Sequence, residues 1–414
     1  ISGEWTGTMN LTEPQAGSDV GALSSKAEQQ VDGTYKISGQ KIFITWGEHD
    51  VAENICHLVL ARLPNGKPGP KGISLFLVPK FIPNTDGSLG PRNDLRCVSL
   101  EHKLGIHGSP TAVMEFSGAK GWLVGQEHNG MACMFTMMNN ARLAVGMQGV
   151  GVAEGAYQHA LAYAMDRKQG RPMIAGGTGA IIDHADVRRM LAQMKSEIFA
   201  ARAIGVACAV AIDMSKATGD ADWLARAAFL TPIAKAFGSD VGVAVADLGV
   251  QIHGGMGFVE ETAAAQYLRD VRITPIYEGT NGIQAMDLVN RKMVDGGTAA
   301  YALMDDIEAL AAASSSTLAR AVLDAAAELR ATTEWLLTQE LNDRFAGAVA
   351  YQKAFARVLG GHFHLIAAMS GEGKRIRMAT FYINSLLPEY TALCAQARAG
   401  SRDLYALELD DFAA

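Results

Sequence analysis

The chain has 414 residues, of which 49% are hydrophobic and 19% are charged, and it contains 44 Gly and 12 Pro. A chain of this length and composition can build two or three domains with hydrophobic cores, which excludes disorder, collagen and small disulfide scaffolds. The formal net charge is -7 at pH 7. Because there is no overall surplus of basic residues to neutralise phosphates, we expect no nucleic-acid partner.

The cysteines and the apolar runs bear on the cellular compartment. The five cysteines show no C-x-x-C spacing and stand at positions 56, 97, 133, 208 and 394. Scattered thiols are compatible with a reducing cytoplasm, and each is more typical of a small core residue than of a metal ligand or nucleophile. The longest uninterrupted apolar run, residues 203–212, is about half of the ~20 residues that a membrane span needs, and no secretory signal opens the chain. We therefore expect a cytoplasmic protein without a membrane span.

The first part of the chain has the pattern of an antiparallel β domain. Eight of the twelve prolines precede residue 111. Residues 34–45 are expected to form two short strands about a Ser38-Gly39 turn. Further β-rich runs, separated by Pro and Gly, occupy residues 55–63, 73–79 and 95–100. We assign residues 1–125 to this domain.

From residue 129 onward the apolar residues recur with a helical period of about 3.6. The helical segments are residues 129–168, 181–217, 222–252 and 281–294. They predict a four-helix-bundle-like domain at residues 126–295. A stripe of methionines at helical spacing is expected in the core of this bundle and consists of Met131, Met134, Met137 and Met138.

A glycine pair, Gly296-Gly297, ends this pattern. Further amphipathic helices are predicted at residues 301–311, 318–339, 345–369 and 375–397. We assign residues 296–414 to an additional C-terminal helical domain, so the fold class is α+β and multidomain. This last domain holds ten Lys/Arg against fourteen Asp/Glu, which again argues against nucleic-acid binding.

Two segments of the β domain carry polar groups that could meet a ligand. The loop TEPQAGSD, residues 12–19, combines a proline, a glycine and several short hydroxyl or carboxylate side chains. Such a loop can present N–H groups and hydroxyls to a polar ring or a diphosphate, and by composition alone it could equally be a solvated turn. The segment FIT, residues 43–45, places an aromatic residue beside a hydroxyl at a strand end.

The glycine cluster QIHGGMGF, residues 251–258, lies at the end of a predicted helix. It therefore lacks the strand-then-helix context of a dinucleotide fingerprint, and a Rossmann fold is rejected. Its glycines suit helix termination and a close approach of the backbone to something flat or anionic. His253 in this cluster is more typical of a structural histidine than of a ligand. No metal-binding spacing of Cys or His occurs in the sequence.

The segment IYEGTNGIQ, residues 276–284, places Glu278 directly before Gly279 and Thr280 on a connection between two helices. A carboxylate on such a connection can enter a cavity, whereas one on an exposed helix face would be solvated. Taken alone, Glu278 is more typical of an acid at a helix start than of a catalytic base.

In the order and spacing of four motifs, the chain resembles the acyl-CoA dehydrogenase family of flavoproteins. The motifs are TEPxAGSD, then FIT about thirty residues later, then QIxGGxGF and YEGTNxIQ. The resemblance covers residues 1 to about 295. It implies that Ile1 begins near the start of the family's middle β domain, with the family's N-terminal helical domain absent from this chain. The remaining residues resemble the extra helical domain of a subgroup that includes 3-methylmercaptopropionyl-CoA dehydrogenases.

The resemblance implies a role for individual residues. Glu278 matches the base of the family. FAD contacts are implied for Met9, Leu11, Thr12, Gly17, Ser18, Phe43, Thr45, Arg167, His184, Gln251, Gly254, Gly255 and Thr280. Acyl-CoA contacts are implied for Ser18, Asn139, Arg142 and Gly279.

The activity implied is FAD-dependent α,β-dehydrogenation of an acyl-CoA thioester to the trans-2-enoyl-CoA, with 3-(methylthio)propanoyl-CoA or another fatty acyl-CoA as substrate. The resemblance also implies an electron-transfer flavoprotein as electron acceptor, and a homodimer or dimer of dimers in which Arg167 reaches the FAD of a neighbouring subunit. An acyl-CoA oxidase is an alternative that the rate of reoxidation in air would distinguish. A nucleic-acid-associated flavoprotein of the same fold would need a basic C-terminal domain, which this chain lacks.

Overall fold

The structure is a computed structural model that describes residues 2–413 and divides between Asn140 and Ala141 into two compact units. The strands are β1 Thr6–Asn10, β2 Lys26–Gln29, β3 Tyr35–Thr45, β4 Ile55–Arg62, β5 Ile73–Pro79, β6 Phe81–Pro83, β7 Leu89–Arg92, β8 Leu95–Leu100 and β9 Thr111–Val124. The helices are α1 Gly130–Asp166, α2 Ala185–Thr218, α3 Ala221–His253, α4 Ala264–Val271, α5 Asn281–Val289, α6 Thr298–Ala312, α7 Thr317–Thr338, α8 Leu341–Met369, α9 Gly373–Phe381, α10 Glu389–Ala397 and α11 Arg402–Tyr405. This order of strands followed by helices confirms the predicted fold class. The domain limits at residues 125 and 295 stay a prediction.

The first unit is built on a seven-stranded sheet in the order β1-β4-β2-β3-β9-β5, with β8 paired to β9. Strand β5 pairs with both β9 and β4, so the path of strands closes on itself. Most pairs are antiparallel, as expected, but β1–β4 and β2–β4 are parallel. Alternating residues of these strands point inward and form a core that includes Ile37, Phe76 and Met114.

Residues 34–45 do not form the expected hairpin. Strand β3 runs through Ser38 and Gly39 and pairs along its length with β9, with a register shift between Ile37 and Ser38. A Cβ on Gly39 would overlap the side chain of Ser25. The glycine therefore permits a bulge and a close approach of neighbouring backbone, which is the other common use of glycine in a strand.

The methionine stripe also differs from the prediction. Met134 is fully buried with Leu60 and Leu75 of the sheet, and Met131, Met137 and Met138 pack around the same cluster. The first turns of α1 thus belong to the first unit and cover the sheet. Helical spacing showed that these residues share one face of a helix, but not which partner that face meets.

The second unit has one continuous hydrophobic core to which α2, α3 and the C-terminal helices all contribute. For example, the Phe229 and Phe355 rings are 5.0 Å apart between centroids, and Gln352 donates a 3.0 Å hydrogen bond to the carbonyl of Pro232. The helix predicted at residues 375–397 is in fact α9, a π-helical turn at Tyr382–Leu386, and α10. Pro388 explains the interruption. Proline has no N–H group to donate a hydrogen bond to the preceding helical turn, and its ring clashes with the backbone of that turn.

Two helical segments within residues 2–413, Ala185–Thr218 and Ala221–Phe258, are long and apolar enough by length and composition to cross a membrane. The expectation of no span considered only uninterrupted apolar runs, and these segments contain a few charges. The core helix of a water-soluble protein passes the same test, and 78% of the best window of the second segment is buried. The finding is therefore a weak indication of a membrane span.

Helices α1 and α3 cross at glycines, and this contact fixes their separation. A Cβ on Gly238 would overlap the carbonyl of Gly146, and a Cβ on Gly149 would overlap the carbonyl of Gly238. Backbone therefore meets backbone at this crossing, with no side chain between. The close approach matters because α1 and α3 carry residues of the site described below.

We expect Gly238→Ala to destabilise the protein by about 1–3 kcal/mol, since the added methyl group must separate two packed backbones. Gly151→Ala is the matched control, because Gly151 lies on α1 and a Cβ there would have no atom within 4 Å. The control should be neutral or slightly stabilising, as alanine favours helix. Thermal and urea unfolding would measure both variants, and equal stability of the two would contradict the close crossing.

Candidate active site

Glu278 lies on a tight connection between α4 and α5. Its φ is +54° and that of Gly279 is +84°, so two consecutive residues occupy the left-handed region. A side chain at position 279 would be doubly unfavourable, because its Cβ would also lie 2.6 Å from Gln284 Nε2. Thr280 then caps α5, since its Oγ1 accepts a 3.2 Å hydrogen bond from the Ile283 N–H. A non-glycine residue in this conformation is strained and persists only where its surroundings hold it.

The side chain of Asn281 holds this turn against α3. Its Oδ1 accepts a 2.8 Å hydrogen bond from Lys235 Nζ, and its Nδ2 donates to Asp240 Oδ1 at 2.7 Å. From the other side, Gln284 Nε2 donates a 3.4 Å hydrogen bond to the carbonyl of Glu278. The turn is therefore tied to the fully buried side chains of Lys235 and Gln284 and to the partly exposed Asp240.

The carboxylate of Glu278 is half-buried, and within residues 2–413 it makes no hydrogen bond and no ion pair. Burial raises the pKa of Glu278, while the charges of Arg142 and Lys235 act in the opposite direction. Arg142 is 7% exposed and its Nη1 lies 3.8 Å from Asp287 Oδ2. A half-buried carboxylate without a bonded partner is well suited to accept a proton.

Several residues predicted from the sequence meet here. Glu278, Gly279 and Thr280 are consecutive, and a Cβ on Gly279 would lie 3.8 Å from Arg142 Nη2. Asn139 precedes Arg142 on α1 but is exposed and belongs to the first unit.

A separate set of predicted residues lies on exposed connections of the second unit. Arg167 is exposed just after α1, and its carbonyl accepts a 2.8 Å hydrogen bond from the Ile181 N–H. His184 Nε2 lies 2.8 Å from the carbonyl of Gln169 and fixes the same loop. At the end of α3, the exposed residues are Gln251, Gly254 and Gly255.

His253 is buried beside these glycines, as expected of a structural histidine. Its Nδ1 donates to the carbonyl of Gly249 at 2.7 Å, and its ring stacks on Tyr163 at 4.4 Å. Among residues 2–413, no group of three or more His, Cys, Asp or Glu side chains could hold a metal ion.

In the first unit, two of the predicted flavin residues, Phe43 and Thr45, lie at the end of β3, beside Trp46, to which the sequence analysis assigns no role. Phe43 is 60% exposed and Trp46 is 39% exposed, and both have positive φ, +60° and +55°. Thr45 is exposed between them. Two large aromatic side chains held in strained backbone at the surface are unusual, and an observed strain of this kind points to a functional role.

The neighbouring loop connects to this strand end through its backbone. Met9 and Leu11 are partly buried against the core, and the Thr12 carbonyl accepts a 2.9 Å hydrogen bond from the Ile42 N–H. Gly17 and Ser18 are exposed at the tip of the loop.

A buried ion pair holds the loop in place. Lys41 Nζ lies 2.8 Å from Glu13 Oε1 and also donates to the carbonyl of Leu11 at 3.0 Å, with both charged side chains almost fully buried. Glu13 further accepts hydrogen bonds from the N–H groups of Ser24 and Ser25, at 2.7 and 3.1 Å. Burial opposes ionisation of Glu13, but Lys41 and these hydrogen bonds lower its pKa to about 2. Burial also lowers the pKa of Lys41, to about 8.

Sequence analysis missed Lys235, Asn281 and the Glu13–Lys41 pair. Lys235 had a detectable signal, because it is the one charged residue in the apolar stretch at residues 227–239. A lone cation on a helix face that is otherwise apolar needs a buried partner. The partners themselves lie 28 and 46 residues away along the chain, and no local pattern indicates them.

We expect Glu13→Gln to destabilise the protein at pH 7 by about 3 kcal/mol, because it leaves the Lys41 charge buried without a partner. The folded pKa of Glu13, about 2, is below its unfolded value, so its contribution is present above about pH 4.5 and is lost as the pH falls. The difference between wild type and variant should therefore shrink on acidification. Asp324→Asn is the control, because it removes an exposed ion pair to Arg320 on α7 and should have little effect. A Glu13→Gln difference that does not change with pH would contradict this account.

Comparisons with known proteins agree with the resemblance seen in the motifs. Sequence models of the acyl-CoA dehydrogenase middle domain and C-terminal domain match residues 8–119 and 128–293. A third, for an acetyl-CoA dehydrogenase C-terminal-like domain, matches residues 303–408.

Curated relatives and solved structures agree with this family. The 3-methylmercaptopropionyl-CoA dehydrogenase of Ruegeria pomeroyi is 48% identical over 90% of this chain and 66% of its own length. The acyl-CoA dehydrogenase of Bacillus subtilis is 34% identical over 72% of this chain and 70% of its own length. The structure of Caenorhabditis elegans ACDH-11 in complex with C11-CoA has a TM-score of 0.78, covers 92% of this chain and 64% of that one, and at 23% identity supports the fold alone.

The chain spans 66% and 50% of the length of two curated relatives that it matches over most of its own residues. Those relatives are therefore considerably longer than the 414 residues given. The matches nevertheless cover the segments that carry the four ordered motifs. The chain belongs to the acyl-CoA dehydrogenase family.

Proposed function

We propose that the chain forms the flavin- and acyl-CoA-binding part of a dehydrogenase that converts an acyl-CoA thioester to the trans-2-enoyl-CoA. The observation that carries this proposal is the environment of Glu278. Its carboxylate is half-buried on a strained turn and has no bonded partner among the described residues, and burial raises its pKa. A base of this kind is what abstraction of a weakly acidic α-proton requires.

The reaction breaks two C–H bonds and forms one C=C bond. Glu278 takes the proton from Cα of the thioester, and the hydride leaves Cβ with its electron pair. FAD, when bound, supplies the acceptor for that hydride. The α-proton of a thioester is far less acidic than a carboxylic acid, so the developing enolate must be stabilised by positioned donors.

The chain offers one such donor on the catalytic turn. Among the residues that the structure describes, none accepts a hydrogen bond from the Glu278 N–H. This N–H is therefore free to donate to the thioester carbonyl, as the resemblance implies. Arg142 and Lys235 add positive charge near the site where negative charge develops.

The residues of the first unit fit a flavin. The exposed Phe43 and Trp46 rings can cover a flat ring system, and the Thr45 hydroxyl between them can hydrogen-bond to its edge. The backbone from Met9 to Thr12, held by Lys41 and Ile42, offers polar groups at fixed positions. Gly17 and Ser18 at the exposed loop tip suit a phosphate.

The exposed set on the second unit supports an oligomer. A guanidinium suits bidentate binding of a diphosphate, and Arg167 is exposed next to the loop that His184 fixes. With Gln251, Gly254 and Gly255 it would contact FAD of a neighbouring subunit, in a homodimer or a dimer of dimers.

The relatives support a proposal for the substrate and the partners. The 48% identical relative is named for 3-methylmercaptopropionyl-CoA, so 3-(methylthio)propanoyl-CoA is the first candidate, contacted by Ser18, Asn139, Arg142 and Gly279. Electrons would pass to an electron-transfer flavoprotein. Five free cysteines support a cytoplasmic location.

We expect Glu278→Gln to retain bound FAD and to lower the rate at which acyl-CoA bleaches the flavin by about 100-fold or more, because an amide cannot accept the α-proton. Anaerobic stopped-flow absorbance would follow bleaching by a panel of short, medium, long and methylthio acyl-CoAs. Glu261→Gln, which changes an exposed glutamate of the same unit, is the control and should bleach at the wild-type rate. Bleaching of Glu278→Gln near the wild-type rate, or absence of bleaching in the wild type, would contradict the proposal.

A further inference from the structure

Lys235 is a completely buried lysine on α3, with 0% of its surface exposed. Its Nζ donates to Asn281 Oδ1 at 2.8 Å, and within residues 2–413 it forms no ion pair shorter than 4.0 Å. A buried ammonium without a carboxylate partner is costly, and such a cost is usually retained for a purpose. Asn281, the neutral group that it binds, is three residues after Glu278.

We propose that Lys235 is a positioning residue of the dehydrogenation, which holds the Glu278 turn through its hydrogen bond to Asn281 and places a buried positive charge close to that turn. This inference rests on the proposed function, because it assigns Lys235 a role in preparing that base. Lys235 acts by holding the Glu278 turn in position and through the electric field of its charge, and it contacts neither substrate nor cofactor.

The distribution of charge around the turn distinguishes Lys235 from Arg142. Arg142 lies 3.8 Å from Asp287, which offsets its charge. Asp240 is bound by Asn281 on one side and lies 3.8 Å from Lys353 of α8 on the other. Lys235 is hydrogen-bonded to a neutral amide, and the same Asn281 side chain separates it from Asp240, the carboxylate whose charge acts on it.

The pH behaviour of Lys235 fits this role. The titratable and charged groups that face the turn or its partners are Arg142, Lys235, Asp240, Arg272, Tyr277, Asp287, Arg291, Lys292 and Lys353. Burial lowers the pKa of Lys235 to about 8, against the opposing charge of Asp240. The ammonium form therefore still predominates at neutral pH, where the base must be ionised.

Lys235→Gln separates charge from position, because an amide can still donate to Asn281 Oδ1 but carries no charge. The protonated carboxyl band of Glu278 in the infrared spectrum, assigned by its loss in Glu278→Gln, can be titrated in the full chain without any turnover. We expect its midpoint to rise by about 1 pH unit in Lys235→Gln. The acidic limb of kcat/KM should move by the same amount, with KM unchanged well above the midpoint.

Lys195→Met is the matched control. It removes one lysine charge from an exposed position on α2, over the Tyr157 ring, and should leave the infrared midpoint unchanged. Lys235→Met is a second route if Lys235→Gln fails to fold, because the thioether fills the same buried space without a charge and should raise the midpoint in the same direction.

The two proposals fail in different ways. If Lys235→Gln is folded and flavin-loaded and bleaches with acyl-CoA, an unchanged infrared midpoint overturns the role of Lys235 and leaves the proposed function intact. A different result overturns the proposed function. If the midpoint shifts but none of the acyl-CoAs in the panel bleaches the flavin of the wild-type chain, the proposed function is wrong, and the positioning role fails with it.

Discussion

The site depends on holding Glu278 and Gly279 in left-handed backbone, against the preference of a glutamate for other conformations. Such a residue costs of order 1–3 kcal/mol, which the surrounding structure must offset. The Asn281 side chain supplies bonds to α3, Gln284 supplies one to the Glu278 carbonyl, and Thr280 caps α5. The strained turn places a carboxylate where burial raises its pKa and where none of residues 2–413 forms a hydrogen bond with it.

Two buried lysines support the functional loops of the two units in different ways. Lys41 is paired with a carboxylate, Glu13, and binds the Leu11 carbonyl, so its charge is neutralised and its effect is to fix the loop. Lys235 is bound to the amide of Asn281, so it fixes a turn and leaves a positive charge in place. The same residue type therefore contributes mainly stability in one unit and electrostatic potential in the other.

Local patterns predicted the order of strands and helices, and the ordered motifs predicted the family. They failed where the outcome depends on distant partners. Gly39 is typical of a turn by sequence. In the structure it lies within a strand, where Ser25 packs so closely against it that a Cβ would not fit. The stripe containing Met134 covers the sheet and not the bundle, and Lys235 is explained by a residue 46 positions away. The apolar period likewise predicted one helix over residues 375–397, although Pro388, which disfavours a continuous helix, lies within that range.

The central claim is that Glu278 removes the α-proton of a bound thioester. Acetyl-CoA tests it most directly, because it has α-hydrogens and no β-carbon, so that proton abstraction is separated from hydride transfer. The flavin-loaded chain is incubated with acetyl-CoA in D₂O, and deuterium at the methyl group is measured by mass spectrometry. The account predicts deuterium incorporation by the wild-type chain and only background incorporation by Glu278→Gln. Equal incorporation by the two proteins would contradict it.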